Sequence, residues 1–177
     1  MLGFSCVQTF WIVELIFINN RGRIGDWEID TVMGKTGHSV LLTAVDRCAR
    51  FTLMKKITHK EAHDVNNGLI ELFDAIPKKF IQSLTPDHGR EFLSLEQIQE
   101  RLGVDIYWPD PYSAEQRGTN ENTNGLIREY FPKRKDIDDY TEKDATYCQR
   151  QLNQRPKKIL NYSTPFEEFY DKPLHLV

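Results

Sequence analysis

Trp27-Glu-Ile-Asp-Thr-Val-Met33, Ser39-Val-Leu-Leu-Thr-Ala-Val45 and Phe51-Thr-Leu-Met-Lys-Lys-Ile57 follow one another closely and decide the fold class. Each is a short run rich in β-branched, aromatic and aliphatic residues. The connections Gly34-Lys-Thr-Gly37 and Asp46-Arg-Cys-Ala49 are short enough for hairpins, so the three runs read as an antiparallel meander. Downstream the period changes: Ala62, Val65, Leu69, Leu72, Phe73 and Ile76 recur at helical spacing over residues 60–76, and Pro77 follows at the stop. A strand over residues 80–84, a helix over 90–102 capped by Gly103, a strand over 104–108 and a helix after Gly118 complete the order βββαβαβα. That order implies an α/β fold, a mixed sheet with helices on its faces.

At 177 residues and 40% hydrophobic content, the chain suits one domain with a sizeable core. A formal net charge of −3 argues against a general polyanion binder, yet positive charge is concentrated locally. Arg128, Lys133, Arg134 and Lys135 form one basic cluster, and Arg150, Arg155, Lys157 and Lys158 form another with no acid among them. Both are candidates to hold phosphates, against the plainer reading of solvated helix ends. The three cysteines, Cys6, Cys48 and Cys148, are widely spaced without a zinc pattern, which fits a reducing cytoplasm. Residues 10–18 are intensely apolar but carry Glu14 and fall short of the roughly 20 residues that span a bilayer. They also lack the basic start and cleavage site of a signal peptide, so no membrane role is expected.

Carboxylates carry the chemistry. The first strand bears Asp26, Glu28 and Asp30 on one side, and strand parity does not choose among them. The run Phe80-Ile-Gln-Ser-Leu-Thr-Pro-Asp87 delivers a further carboxylate at the end of a strand. Within Arg117-Gly-Thr-Asn-Glu-Asn-Thr-Asn-Gly-Leu-Ile-Arg128, a helix capped by Thr119 or Asn120 sets Glu121, Asn124, Gly125 and Arg128 on one face, with Leu126, Ile127 and Tyr130 on the other. Two strand-borne acids and a helix-borne glutamate offer hard oxygen ligands of the kind magnesium takes. A buried strand aspartate without a partner is costly, and a metal relieves that cost.

The runs Gly25-Asp-Trp-Glu-Ile-Asp-Thr-Val-Met-Gly34, Thr85-Pro-Asp-His-Gly-Arg-Glu-Phe92 and Tyr112-Ser-Ala-Glu-Gln-Arg-Gly-Thr-Asn-Glu-Asn-Thr-Asn-Gly-Leu-Ile-Arg128 together resemble the catalytic core of insertion-sequence-thirty type transposases. The likeness continues through Phe131-Pro-Lys133, Asn153-Gln-Arg-Pro-Lys157 and Leu160-Asn-Tyr-Ser-Thr-Pro165, covering roughly residues 21–170. It implies a ribonuclease-H-like core of the retroviral integrase type, with a five-stranded sheet and a catalytic triad of Asp30, Asp87 and Glu121. By the same resemblance two Mg2+ ions, with Mn2+ able to substitute, are held by the triad, Asp87 bridging them. Water cleaves a transposon end to a 3′ hydroxyl, which then attacks target DNA without a covalent enzyme intermediate. Arg117, Asn120, Asn124 and Arg128, with Lys133, Arg155, Lys157 and Lys158, are the candidates for contacting DNA; helix capping is the plainer role for the asparagines. The partners implied are transposon ends and target DNA, with a homo-oligomer in a synaptic complex.

The resemblance also leads us to expect an upstream helix-turn-helix region, which residues 1–20 do not resemble. We expect that segment to be a remnant of truncation or a shifted frame, or else an added strand or helix, with residues 21–172 as the catalytic core and 173–177 as a tail. A ribonuclease-H-like nuclease and an inactive DNA-binding remnant are the rival functions. Plainer readings serve elsewhere. His59 and His63 read as surface or capping residues, Asp46 as a hairpin shaper, and Asn161-Tyr-Ser163 as a turn before Thr164-Pro165. His88 is either a loop residue or a phosphate contact. Trp108-Pro-Asp-Pro-Tyr112 reads as a rigid loop, with base stacking by Tyr112 a lesser reading.

Overall fold

The structure is a computed structural model that describes residues 22–35, 38–109 and 118–171; the side chains of 118–121 lie outside that set. The expected meander is present. Strands β1 (Asp26–Met33), β2 (Val40–Asp46) and β3 (Thr52–Ile57) pair antiparallel, with Asp30 opposite Thr43 and Thr43 opposite Met54. Strand β4 (Ser83–Pro86) runs parallel to β1 on its other side, and β5 (Asp105–Ile106) runs parallel to β4. The sheet order is therefore β3-β2-β1-β4-β5. The helices are α1 (Ala62–Asp74), α2 (Glu96–Leu102), α3 (Gly118–Tyr130), α4 (Glu142–Gln154) and α5 (Pro165–Tyr170).

Both faces of the sheet are covered, which explains why its inner strands are nearly continuous apolar runs. Trp27 and Ile29 of β1, with Val40, Leu42 and Ala44 of β2, pack against Val65, Leu69 and Phe73 of α1 and Ile98 of α2. Val32 and Leu41 point the other way and join Met54, Ile127, Phe131, Cys148 and Leu152 under α3 and α4. Phe169 of α5 seals the first layer, stacking on Phe51 at 4.4 Å and meeting Trp27 edge-on at 5.5 Å. Helix α4 also closes the open edge of the sheet. Asn153 accepts from the Thr52 N–H and donates to the Thr52 carbonyl, both at 2.8 Å, and Gln149 accepts from the Met54 N–H at 2.7 Å.

Four expectations need correction. The helix read over residues 90–102 is a 3-10 turn at Arg90–Phe92 followed by α2, because Asn66 claims the Ser94 carbonyl at 2.6 Å and both Phe92 and Leu95 are buried. The fourth strand starts at Ser83 rather than residue 80: Lys78–Phe80 forms a 3-10 turn whose Phe80 carbonyl accepts from the Trp27 indole at 2.9 Å. The fifth strand is only Asp105–Ile106, since the short β4 beside it offers little to pair with. Neither Thr119 nor Asn120 caps α3, because the helix already begins at Gly118. The Asn161–Ser163 turn is as read, with Asn161 and Tyr162 left-handed and Thr164 and Glu167 forming a capping box ahead of α5.

Candidate active site

Strands β1 and β4 are in register with Ile29 opposite Pro86, and the Asp87 N–H donates to the Ile29 carbonyl at 3.1 Å. β4 stops at Pro86 while β1 runs on, so Asp30 and Asp87 meet where the parallel pairing ends. The partners of the three β1 acids separate what parity left open. Asp26 is fully buried, held by Arg23 at 2.7 Å and by the Ser83 hydroxyl at 2.7 Å. Glu28, also buried, forms an ion pair with Arg47 at 3.3 Å. Asp30 takes only neutral donors among the described residues: the Asn124 amide donates to Oδ2 at 2.8 Å and the Thr31 N–H to Oδ1 at 2.7 Å.

Burial pushes the Asp30 carboxyl above its ordinary range, and the Asp87 charge adds to the rise, while the bonds from Asn124 and Thr31 and the nearby Lys60 ammonium oppose it. A carboxylate pair so placed is oxygen-rich and mutually repulsive, and hard oxygen donors of this kind suit a divalent ion. Asn124 docks α3 onto Asp30, and Glu121 lies three positions earlier on that helix. The side chains of Glu121 and Asn120 lie outside the described residues, as does Arg117 entirely.

Arg128 follows Asn124 by one helical turn and lines a cavity of about 580 Å³ with Met33, Gly34, Lys35, Lys133 and Arg134. The cavity exists because the loop after α3 folds back onto the end of β1: the Lys35 N–H donates to the Lys135 carbonyl at 3.0 Å. A β-carbon at Gly34 would come within 2.8 Å of the Ile137 nitrogen, so this approach requires glycine. Among the described residues no carboxylate pairs with Lys35, Arg128, Lys133 or Arg134, and burial lowers the Arg128 pKa.

The second basic cluster stands elsewhere. Lys157 is close enough to Arg50, at the β2–β3 turn, to feel its charge, and that turn lies at the end of the sheet away from Asp30. Arg155 reaches Glu129 at 3.4 Å, and Lys158 begins an exposed turn. The antiparallel meander carries Lys157 to the far end of the sheet, while Arg155 reaches back to α3.

Asp46 shapes its hairpin, accepting from the Gly25, Ala49 and Cys48 N–H groups at 2.7, 2.6 and 3.0 Å, with burial raising its pKa to about 6. His59 faces Asp64 and His63 faces Asn67, both on the surface, and the exposed His88 gives its backbone N–H to Asp87. Tyr112 lies outside the described residues. Sequence reading missed Thr31, Lys60 and Glu91, which meet behind the acids: the Glu91 Oε1 accepts from the Thr31 hydroxyl at 2.9 Å and from Lys60 at 2.9 Å. The signal available was Glu91's place in the Asp87-His-Gly-Arg-Glu run.

No helix among the described residues is long and apolar enough to cross a membrane. Residues 21–114 match the family model described as the integrase core domain. The chain is 43% identical over 150 residues to the transposase InsI for insertion sequence element IS30A of Escherichia coli K12, covering 85% of this chain and 39% of that protein. It is 40% identical over 158 residues to the transposase for insertion sequence element IS4351 of Bacteroides fragilis, covering 89% and 47% respectively. It thus spans less than half the length of these curated relatives. In three dimensions it is similar to the catalytic core domain of BIV integrase, with a TM-score of 0.64 at 18% identity over 84% of this chain and 95% of that one. The fold is therefore the ribonuclease-H-like one of retroviral integrases. The chain belongs to the integrase core domain family, and over most of its length it is similar to IS30-type transposases.

Proposed function

We propose that residues 21–172 are the catalytic core of a DNA transposase that cleaves the ends of an insertion sequence and joins them to target DNA. The observation that carries this is the Asp30 and Asp87 pair at the break in the parallel sheet, with the Glu121-bearing helix docked on Asp30 through Asn124. Asp30, Asp87 and Glu121 would hold divalent ions, two Mg2+ or Mn2+. When bound, such ions make water or a 3′ hydroxyl a better nucleophile and stabilise the leaving oxygen of the phosphodiester.

The chain's own residues do the positioning. Asn124 fixes Oδ2 of Asp30, and the Thr31 N–H fixes Oδ1, so the carboxylate is oriented before ligand arrives. Lys35, Arg128, Lys133 and Arg134 hold DNA phosphates beside the acids, with Arg117 and Asn120 as further DNA contacts. Arg155, Lys157 and Lys158 serve DNA passing the opposite end of the sheet. The working form is a homo-oligomer on paired transposon ends in the cytoplasm.

The test is a strand-transfer assay with a pre-cleaved end bearing a free 3′ hydroxyl, in Mn2+. Joined product from the wild type, lost in Asp87→Asn and Glu121→Gln, is the expected result. Hydrolysis without joining would assign the chain to nucleases, and tight DNA binding with neither reaction would make it an inactive remnant.

A further inference from the structure

Glu91 is an unusual carboxylate in this molecule. It is 7% exposed, it stands four residues after Asp87, and its loop is folded around it. A β-carbon at Gly89 would overlap the Glu91 carboxylate, so the backbone of the Asp87 loop passes directly over that group. Oε1 then accepts from the Thr31 hydroxyl and from the Lys60 ammonium, both at 2.9 Å. Thr31 directly follows Asp30 on β1, and side chains alternate along a strand. Asp30 faces α3, whereas Thr31 faces the opposite layer. Glu91 therefore grips β1 from behind, across the gap that opens where β4 ends at Pro86.

We infer that Glu91 is a positioning residue, clamping the Asp87 loop to Thr31 and so fixing the spacing between Asp30 and Asp87. Past Pro86 the two aspartates lose the regular strand pairing that would hold them in register. The Asp87 N–H to Ile29 carbonyl bond is the last ladder rung, and the Thr31 to Glu91 bond spans the loop beyond it. Lys60 serves the clamp twice. It neutralises a carboxylate that would otherwise be buried with a neutral donor only, and its charge reaches Asp30. The inference rests on the proposal that Asp30 and Asp87 hold divalent ions.

The experiment measures Mn2+ binding to the full chain by the loss of the free-ion electron paramagnetic resonance signal, without DNA. Thr31→Val keeps shape and charge and deletes only the hydroxyl. It should weaken Mn2+ binding at least about threefold, as expected for one lost hydrogen bond of ordinary strength, while still melting cooperatively in EDTA. Glu91→Gln should weaken it further. Weakening by Glu91→Gln alone would trace the effect to charge rather than position, and unchanged binding in both variants would remove the clamp altogether. Asp87→Asn separates the two levels of argument: if it binds Mn2+ like the wild type, the ion site itself is wrong and the clamp falls with it. If it does not bind while Thr31→Val binds normally, only the clamp is refuted.

Discussion

Replacing Asn124 with alanine tests the junction between α3 and β1. The amide donates to Asp30 Oδ2 at 2.8 Å. A hydrogen bond to a charged group contributes about 1.5–3 kcal/mol, against about 0.5–1.5 kcal/mol for a neutral one. Asp30 is only half-buried, and water can occupy part of the space, so a loss of about 1–2 kcal/mol at neutral pH is expected. The pH dependence is the sharper readout. The folded carboxyl of Asp30 already titrates above its ordinary range, chiefly through burial, so its contribution to stability is fully present below the unfolded value and is lost as pH rises through the folded one. Removing Asn124 withdraws a bond that favours the charged form, which moves the folded value higher and increases the loss. Urea unfolding of both proteins in EDTA across an acid-to-neutral series should therefore show a stability gap that is widest at neutral pH and narrows on acidification. A gap independent of pH, or one that widens toward acid, would refute the role given to this amide.

Saturating Mn2+, at about 100 times its dissociation constant, should stabilise the wild type by about 2.7 kcal/mol, or roughly 5–10 °C in melting temperature, and Asp87→Asn should abolish the gain. Calorimetry with and without the ion checks this. Alanine at Lys35, Lys133 and Arg134 together should flatten the salt dependence of DNA binding by about 2–3 units in slope, equally for all sequences, because each phosphate contact releases counterions. If Lys157 and Lys158 carry the larger effect in the same titration, DNA runs mainly past the other end of the sheet. Asn153→Ala should lower stability by about 2–5 kcal/mol, because it strands both the N–H and the carbonyl of the buried Thr52; thermal melting is the measure.

The strands were legible because local pattern and tertiary environment agree: β1, β2 and β3 lie within a residue of where alternation and turn chemistry put them. The family was legible for a different reason, the joint occurrence of three motif runs. What local reading could not supply were decisions made by distant partners. Asp30 could not be told from Asp26 and Glu28 by parity, because the difference lies in Ser83, Arg47 and Asn124, each remote in sequence. The break before α2 was invisible for the same reason, since the Ser94 carbonyl is claimed by Asn66 from α1. The place of Lys157 beside Arg50 was not legible either, because sequence does not record that β2 reverses the chain and carries its turn to the far end.

The two ends of the sheet differ in how completely their charges are satisfied, and the difference bears on function. At the Gly25 end, Asp26, Glu28 and Asp46 are buried and each is held by arginine, hydroxyl or backbone N–H partners. That end serves stability, and its groups have little capacity left for a ligand. At the Asp87 end, the Asp30 carboxylate is anchored by neutral donors and repelled by a second carboxylate, while four cations face an open cavity one helical turn away. A net charge of −3 conceals this division. Charges of both signs held apart in this way are costly in the isolated chain. They become favourable together only when a ligand brings cations to the acids and phosphates to the bases. A divalent ion bound with a phosphodiester would supply both, so under the proposed function the Asp30 end of the sheet, rather than the Gly25 end, is where that ligand would bind.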